Sequence, residues 1–197
     1  MENRKIRDVA RLESVLRFMA DNIGNLLSIK KVSDTMISDG VKILPLTLES
    51  YLTAFCDSYI LYKASRYDVK GKKLLKTMDK YYLVDIGLRY YLFGDNKTDK
   101  GRMLENVVYL ELLRRKYNVY TGKVGDKELD FIAEGPNGVE YYQVADTVID
   151  QATLKRELYP LDSIRDHNPK FLLTQDFEPL TSHNGIKQIN VLEWLLR

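Results

Sequence analysis

The sequence predicts an α+β protein in two parts, a mostly helical first half and an α/β second half. Two observations carry that expectation. The spacing of apolar residues changes from a helical period to the two-residue period of strands near Tyr59. The stretch "GDNKTDKG", Gly94 to Gly101, is small, polar and turn-forming, and it separates two periodic regions. No internal repeat or low-complexity tract interrupts either side. The expected division is therefore residues 1–97 and 98–197.

In the first half, "RLESVLRFMADNIG" sets Leu12, Val15, Leu16 and Met19 at helical spacing, with Gly24 as the expected C-terminal cap. "SIKKVSDTMISDG" predicts a second helix, capped by Ser28 and closed at Gly40. "LTLESYLTAFCDSY" predicts a third, with Leu48, Leu52 and Phe55 on its apolar face. "YILYKASRYDV" and "TMDKYYLVD" then read as the two strands of a hairpin turning at "KGKK" around Gly71. Three helices followed by a hairpin is the order of a winged helix-turn-helix, in which the third helix can enter a DNA groove while the wing touches phosphates. The third helix here offers Glu49, Ser50, Tyr51, Thr53 and Asp57, with no Arg or Lys, which is a poor surface for a polyanion.

The second half opens with "GRMLENVVYLELLRRKY", a helix expected to turn Leu104, Val107, Val108 and Leu112 inward. The strands "NVYTGK", "KELDFIAE" and "VEYYQVAD" follow, the last two flanking a "GPNG" turn as a hairpin. A helix over "QATLKRELYPLDSI", the strand "KFLLT", and a strand running into a helix over "IKQINVLEWLL" complete the chain. Strand alternation puts Asp130 on the face opposite Leu129 and Phe131.

Hydrophobic residues at 45% and charged residues at 29% describe a globular protein rather than a disordered one. No apolar run is long enough to cross a bilayer, and "ENRKIRD" after Met1 holds no apolar signal core. The single cysteine, Cys56, cannot form an internal disulfide, which fits a cytoplasmic protein, and it is expected in the core. His167 and His183 are expected on surface loops, and Tyr81, Tyr82, Tyr90 and Tyr91 as packing residues with wet hydroxyls. Net charge is +2, but residues 1–100 carry +5 and residues 101–197 carry −3. The excess gathers in residues 63–80, where Lys70, Lys72, Lys73 and Lys76 crowd the hairpin turn. Such a cluster serves phosphate contacts or is simply a solvated tip.

Helix, three strands, helix and strand, with Glu105 in the first helix and Asp130 on a strand, resembles the PD-(D/E)xK restriction-endonuclease-like fold. In active members of that family such carboxylates hold one or two Mg²⁺ ions, which activate water and neutralise phosphate charge. The resemblance maps the site onto Glu105, Asp130, Gln143 and Ala145. Two acids match, the third is an amide, and alanine stands where the family has its lysine. Glu105 and Asp130 are thus the candidate metal ligands for Mg²⁺, and Glu105, Asp130 and Gln143 the candidate catalytic set. Lys123 or Lys127, from a neighbouring strand, is the candidate for a substitute cation, against the plainer reading of both as surface lysines.

Across residues 10–197, "ADNIGNLLSIKKVSDTM", "SRYDVKGKKLLKTMDKYYLVDIGLR", "LENVVYLELLRRKYNVYTGKVGDKELDFIAE", "YYQVAD" and "NPKFLLTQD" resemble the C-terminal region of a prokaryotic family of AAA+ ATPases. In that family a P-loop core precedes a winged-helix segment and a nuclease-like domain of unknown function. No G-x-x-x-x-G-K-[ST] loop occurs in this sequence, so no ATP hydrolysis is expected of it. The resemblance implies a module that works with an ATPase core, in cis or in trans. Its leading reading is a DNA- or protein-binding domain with a degenerate nuclease site. A weak Mg²⁺- or Mn²⁺-dependent nuclease, and an interaction or oligomerisation scaffold without nucleic acid, are the alternatives.

Overall fold

The computed structural model describes residues 8–76, 78–94, 100–177 and 181–197. Most of the boundary stretch "GDNKTDKG", residues 95–99, lies outside the described residues. The chain is mixed α+β and folds into two units, one of residues 1–64 with 77–96, the other of residues 65–76 with 97–197. A single cut at 97/98 does not describe this division, because residues 65–76 leave the first unit for the second.

In the first unit, α1 (Val9–Asp21), α2 (Ile29–Ser38) and α3 (Pro45–Asp57) enclose an apolar core. Val15, Met19, Val32, Met36, Leu48, Leu52 and Phe55 are buried there, as the helical spacing requires. The Asp8 carboxylate accepts the Arg11 N–H at 2.9 Å and starts α1. Asn22, not Gly24, caps its C-terminus; Gly24 has φ +72° and donates its N–H to the Tyr81 carbonyl at 3.1 Å. Ser28 stands at the N-cap of α2 without a capping side-chain bond. Tyr51, expected on the outer face of α3, is buried. Cys56 is partly buried, and burial pushes its thiol up.

The hairpin legs form and pair as the sequence predicts: β1 (Leu61–Ala64) runs antiparallel to β4 (Lys80–Leu83). The predicted turn at Gly71 forms too, but between a second antiparallel pair that lies in another sheet. Residues 65–76 build two further strands, β2 (Arg66–Asp68) and β3 (Lys73–Leu74), in the sheet of the second unit. After β4, α4 (Ile86–Phe93) is capped by the Asp85 carboxylate on the Gly87 N–H at 2.7 Å. Its Arg89 is buried, with Nε donating to the Ala20 carbonyl at 3.1 Å. Tyr81 and Tyr82 are buried, but Tyr90 and Tyr91 are exposed, contrary to a packing role.

The second unit contributes α5 (Lys100–Arg114), β5 (Asn118–Val124), β6 (Lys127–Gly135) and β7 (Gly138–Val144). Then come α6 (Gln151–Asp162), β8 (Lys170–Thr174), β9 (Thr181–His183), β10 (Ile186–Asn190) and α7 (Val191–Leu195). The eight strands of its mixed sheet lie in the order β3-β2-β5-β6-β7-β8-β10-β9. β9 is a strand the sequence reading did not foresee, and His183 belongs to it, hydrogen-bonded to Gln188 at 2.8 Å instead of lying in a free loop. Strand β2 pairs parallel with β5, and β7, β8 and β10 pair parallel in turn. With β6 antiparallel to both β5 and β7, all five of these strands point their carboxyl ends to one edge of the sheet.

Helix α6 covers one face of the sheet, placing Leu158 and Leu161 against Leu129, Ile132 and Tyr141. α5 and α7 cover the other: Tyr109 packs on Phe131 at 5.8 Å and Trp194 on Tyr142 at 5.7 Å between ring centroids. In α5, Val108 and Leu112 are fully buried, whereas Leu104 and Val107 are only partly so. Gly122 is required on β5 because a Cβ there would stand 2.8 Å from that of Leu129.

Because β2 covers one edge of β5, a fragment of residues 98–197 would leave that edge of β5 unpaired. That fragment is expected to unfold at lower denaturant concentration, or to associate, relative to the full chain. Circular dichroism under urea and light scattering check this; equal stability and a monomeric fragment would refute it.

Candidate functional site

The centre of the sheet carries an irregularity at Asp130. Tyr120 pairs with Ile132 but Gly122 with Leu129, so Asp130 and Phe131 together stand opposite Thr121 alone. A bulge of this kind breaks alternation and re-aims a side chain. Leu129 accordingly joins the α6 face, Phe131 the α5 face, and Asp130 turns along the sheet toward β7. This corrects the expectation that Leu129 and Phe131 share a face opposite Asp130.

At the same point β6 and β7 part. Their register ends at Phe131 with Tyr142, while β7 continues beside β8 through Gln143 and Val144. Side chains replace the missing ladder bonds. The Val144 N–H donates to Oδ2 of Asp130 at 2.9 Å, and the Asp130 N–H donates to Oε1 of Gln143 at 3.3 Å. The Gln143 amide then donates to Oε2 of Glu157 on α6 at 2.8 Å. The other oxygen of Glu157 accepts from the Arg156 guanidinium at 3.0 and 2.8 Å. Asp130 and Gln143 are each only 8% exposed, which makes these bonds expensive to leave unmade.

The structure thus brings Asp130 and Gln143 together and adds Glu157, which sequence reasoning missed. The only trace of Glu157 in the sequence is a carboxylate within "LKREL", indistinguishable from a solvated helix residue until the helix is docked. Glu105 is buried on α5, also 8% exposed. Ala145 donates its N–H to the Leu173 carbonyl at 3.0 Å and packs among Val148, Leu158 and Leu161. Among the described residues, no three His, Cys, Asp or Glu side chains gather in a way that could hold a metal ion. Lys127 does not pair with Asp130; its ammonium lies 3.7 Å from Asp126 and 5.8 Å from the Tyr159 ring centre.

Lys70, Lys72, Lys73 and Lys76 are all exposed, but not on the tip of the first unit's hairpin. They belong to the second unit, in and around the β2–β3 turn at the sheet edge. The turn is held by Asp68, whose carboxylate accepts the Gly71 N–H at 3.0 Å. That bond holds the Asp68 carboxyl below the usual range, with the ammonium groups of Lys123 and Lys73 adding to it.

Residues 2–99 match the family model of a domain of unknown function (DUF8612). An uncharacterized protein of Haemophilus influenzae is 38% identical over 192 residues, taking in 98% of this chain and 47% of that protein. An uncharacterized protein of Methanocaldococcus jannaschii is 29% identical over 141 residues, which are 70% of this chain and 31% of that protein. The chain therefore spans less than half the length of either curated relative. No solved structure is a significant match.

Replacing Asp130 by Ala strands the buried Val144 N–H and should cost about 1–3 kcal/mol. Asp130→Asn keeps an acceptor oxygen and should cost clearly less. Urea denaturation of both variants checks the order; equal losses would mean that the carboxylate does not serve as the acceptor described.

Proposed function

We propose that this chain is a non-ATPase module of a longer AAA+ ATPase-type protein, in which a winged-helix first unit is joined to a restriction-endonuclease-like second unit whose nuclease site is degenerate. Its work is to bind DNA or a protein partner. Helices α1 to α3 followed by the β1/β4 pair support the first assignment. The order α5, β5, β6, β7, α6, β8 supports the second.

The observation that carries the non-catalytic reading is the commitment of Gln143. Its oxygen accepts from the Asp130 backbone and its nitrogen donates to Glu157. Mg²⁺ requires near-octahedral oxygen ligation and gives up water reluctantly. The residues present do not fit that ion: one oxygen of Asp130 is taken by the Val144 N–H, and an amide stands where the third anion would be. Ala145 supplies no cation for the developing charge, and loss of one comparable electrostatic donor costs roughly a hundred- to thousand-fold in rate.

One observation favours a second reading, a weak Mg²⁺- or Mn²⁺-dependent nuclease. Glu105 and Asp130 are buried carboxylates of a single unit, and buried carboxylates are rare outside functional or structural clusters.

Calorimetric titration with Mg²⁺ and Mn²⁺, and incubation of plasmid DNA with each, separate the two. The expected outcome is no saturable metal binding in the low millimolar range and no cleavage. Cleavage by the parent that disappears in Asp130→Ala would overturn the non-catalytic reading and install the nuclease.

A further inference from the structure

The parallel register of β2 on β5 sets Asp68 beside Lys123, so the two strands turn at the same edge of the sheet. The β2–β3 turn carries Lys70 to the β5–β6 turn, with Lys72 and Lys73 following on the outer side of β2. The Lys70 ammonium lies 3.5 Å from where a Cβ of Gly125 would stand. Lys127 begins β6 on the far side of that turn, three residues before Asp130 and about 10 Å along the strand. The cations are thus not scattered. They lie at the carboxyl edge on the β3–β2–β5 side of the sheet, with the Asp130–Gln143–Glu157 cluster beyond β5.

Their charges are unequally spent. Lys127 faces Asp126 at 3.7 Å, and Lys123 stands opposite Asp68 and Glu128. Lys70 and Lys72 are exposed, and among the described residues no ion pair engages them; Lys73 is exposed as well and stands opposite Asp68 across β2 and β3. Like charges held this close repel one another, and an external polyanion relieves that repulsion. Lysine is depleted at protein–protein interfaces, whose cores need apolar anchors, and Leu74 is the one large exposed hydrophobic of residues 65–76. A phosphate backbone needs no such anchor.

We infer that the β2–β3 and β5–β6 turns of the second unit form a phosphate-backbone binding surface for double-stranded nucleic acid, with Lys70, Lys72 and Lys73 as its contacts. This rests on the reading of the chain as a binding module and moves the contact from a winged-helix tip to the sheet edge. Three neutralised phosphates give a slope of log K against log salt of about −3, so affinity falls roughly 40-fold between 50 and 200 mM salt.

Fluorescence anisotropy of the full chain tests this in EDTA, with labelled 20-base-pair duplex DNA and duplex RNA as separate probes and poly-glutamate as competitor. Saturable binding to either duplex with that slope supports the surface, and the preferred duplex identifies the source of the phosphates. The Lys70→Gln, Lys72→Gln, Lys73→Gln variant should lose at least tenfold in affinity and nearly all of the slope. A Lys30→Gln, Lys31→Gln, Lys42→Gln variant removes the same net charge from the first unit and should bind as the parent does. No binding, equal losses in the two variants, or equal displacement by poly-glutamate would each overturn the inference. Because EDTA excludes metal-dependent cleavage, a failure here is distinct from finding a nuclease.

Discussion

The hydrogen bond from the Val144 N–H to the Asp130 carboxylate closes the sheet where its central ladder stops. β6 must continue toward Lys127 beside β5, while β7 must continue beside β8. The two strands cannot do both and stay paired with each other. A buried backbone donor in the gap needs an acceptor, and the bulge delivers one from Asp130. The bulge has its own cost: the Thr121 hydroxyl, facing it, has no hydrogen-bond partner among the described residues. Much of the second unit follows from this parting. It turns Leu129 and Phe131 to opposite faces, which lets α6 and α5 each find an apolar partner on β6.

The same requirement explains why an amide suits position 143. A glutamate there would put a second carboxylate about 3 Å from Glu157, and both would resist ionising together in a site this dry. Glutamine offers an acceptor to Asp130 and a donor to Glu157, satisfying both neighbours without net charge. Arg156 then balances Glu157 from the solvent side. The chain Val144–Asp130–Gln143–Glu157–Arg156 is a satisfied network, and satisfied networks fix one arrangement of the elements they join. Here the joined elements are β6, β7 and α6. Polar residues that in sequence look like the remnant of a site have, in the fold, a structural task.

Local signals in the sequence carried the helices and most strands. The stripe of Val15 and Met19, the alternation around "VEYYQVA", and the "GPNG" hairpin are each short-range patterns. What was illegible depended on partners far along the chain. "RYDV" is a strand in either place, and nothing within it says whether Arg66 continues the β1/β4 ladder opposite Met78 or pairs with Thr121. Parallel pairing leaves no turn signature of its own. Asp130 was legible as a polar interruption but not as a bulge, because the extra residue shows only against the register of β5. Glu157 was illegible because its meaning comes from Gln143, fourteen residues away on a different element. Tyr51 was misplaced because burial of an amphipathic side chain is decided by what packs over it, and His183 because its strand exists only against β10.

The recruitment of β2 ties these points together. A basic loop at the end of a free hairpin would be held by two strand ends alone. In the sheet it is fixed by the parallel ladder to β5, by the Val69 N–H on the Lys123 carbonyl at 3.0 Å, and by Asp68 on the Gly71 N–H. Fixing the backbone removes conformational entropy that an incoming ligand would otherwise have to remove. It also sets the lysines in register with the carboxyl ends of β5 and β7, the edge where mixed α/β sheets leave room for ligands. The cluster in the middle of that edge sets one guanidinium, Arg156, against the carboxylates of Asp130 and Glu157, so it opposes an anion less than two free carboxylates would. Charge placement and strand order therefore favour the same edge, and the segment that supplies the charge is the one that crosses between the two units.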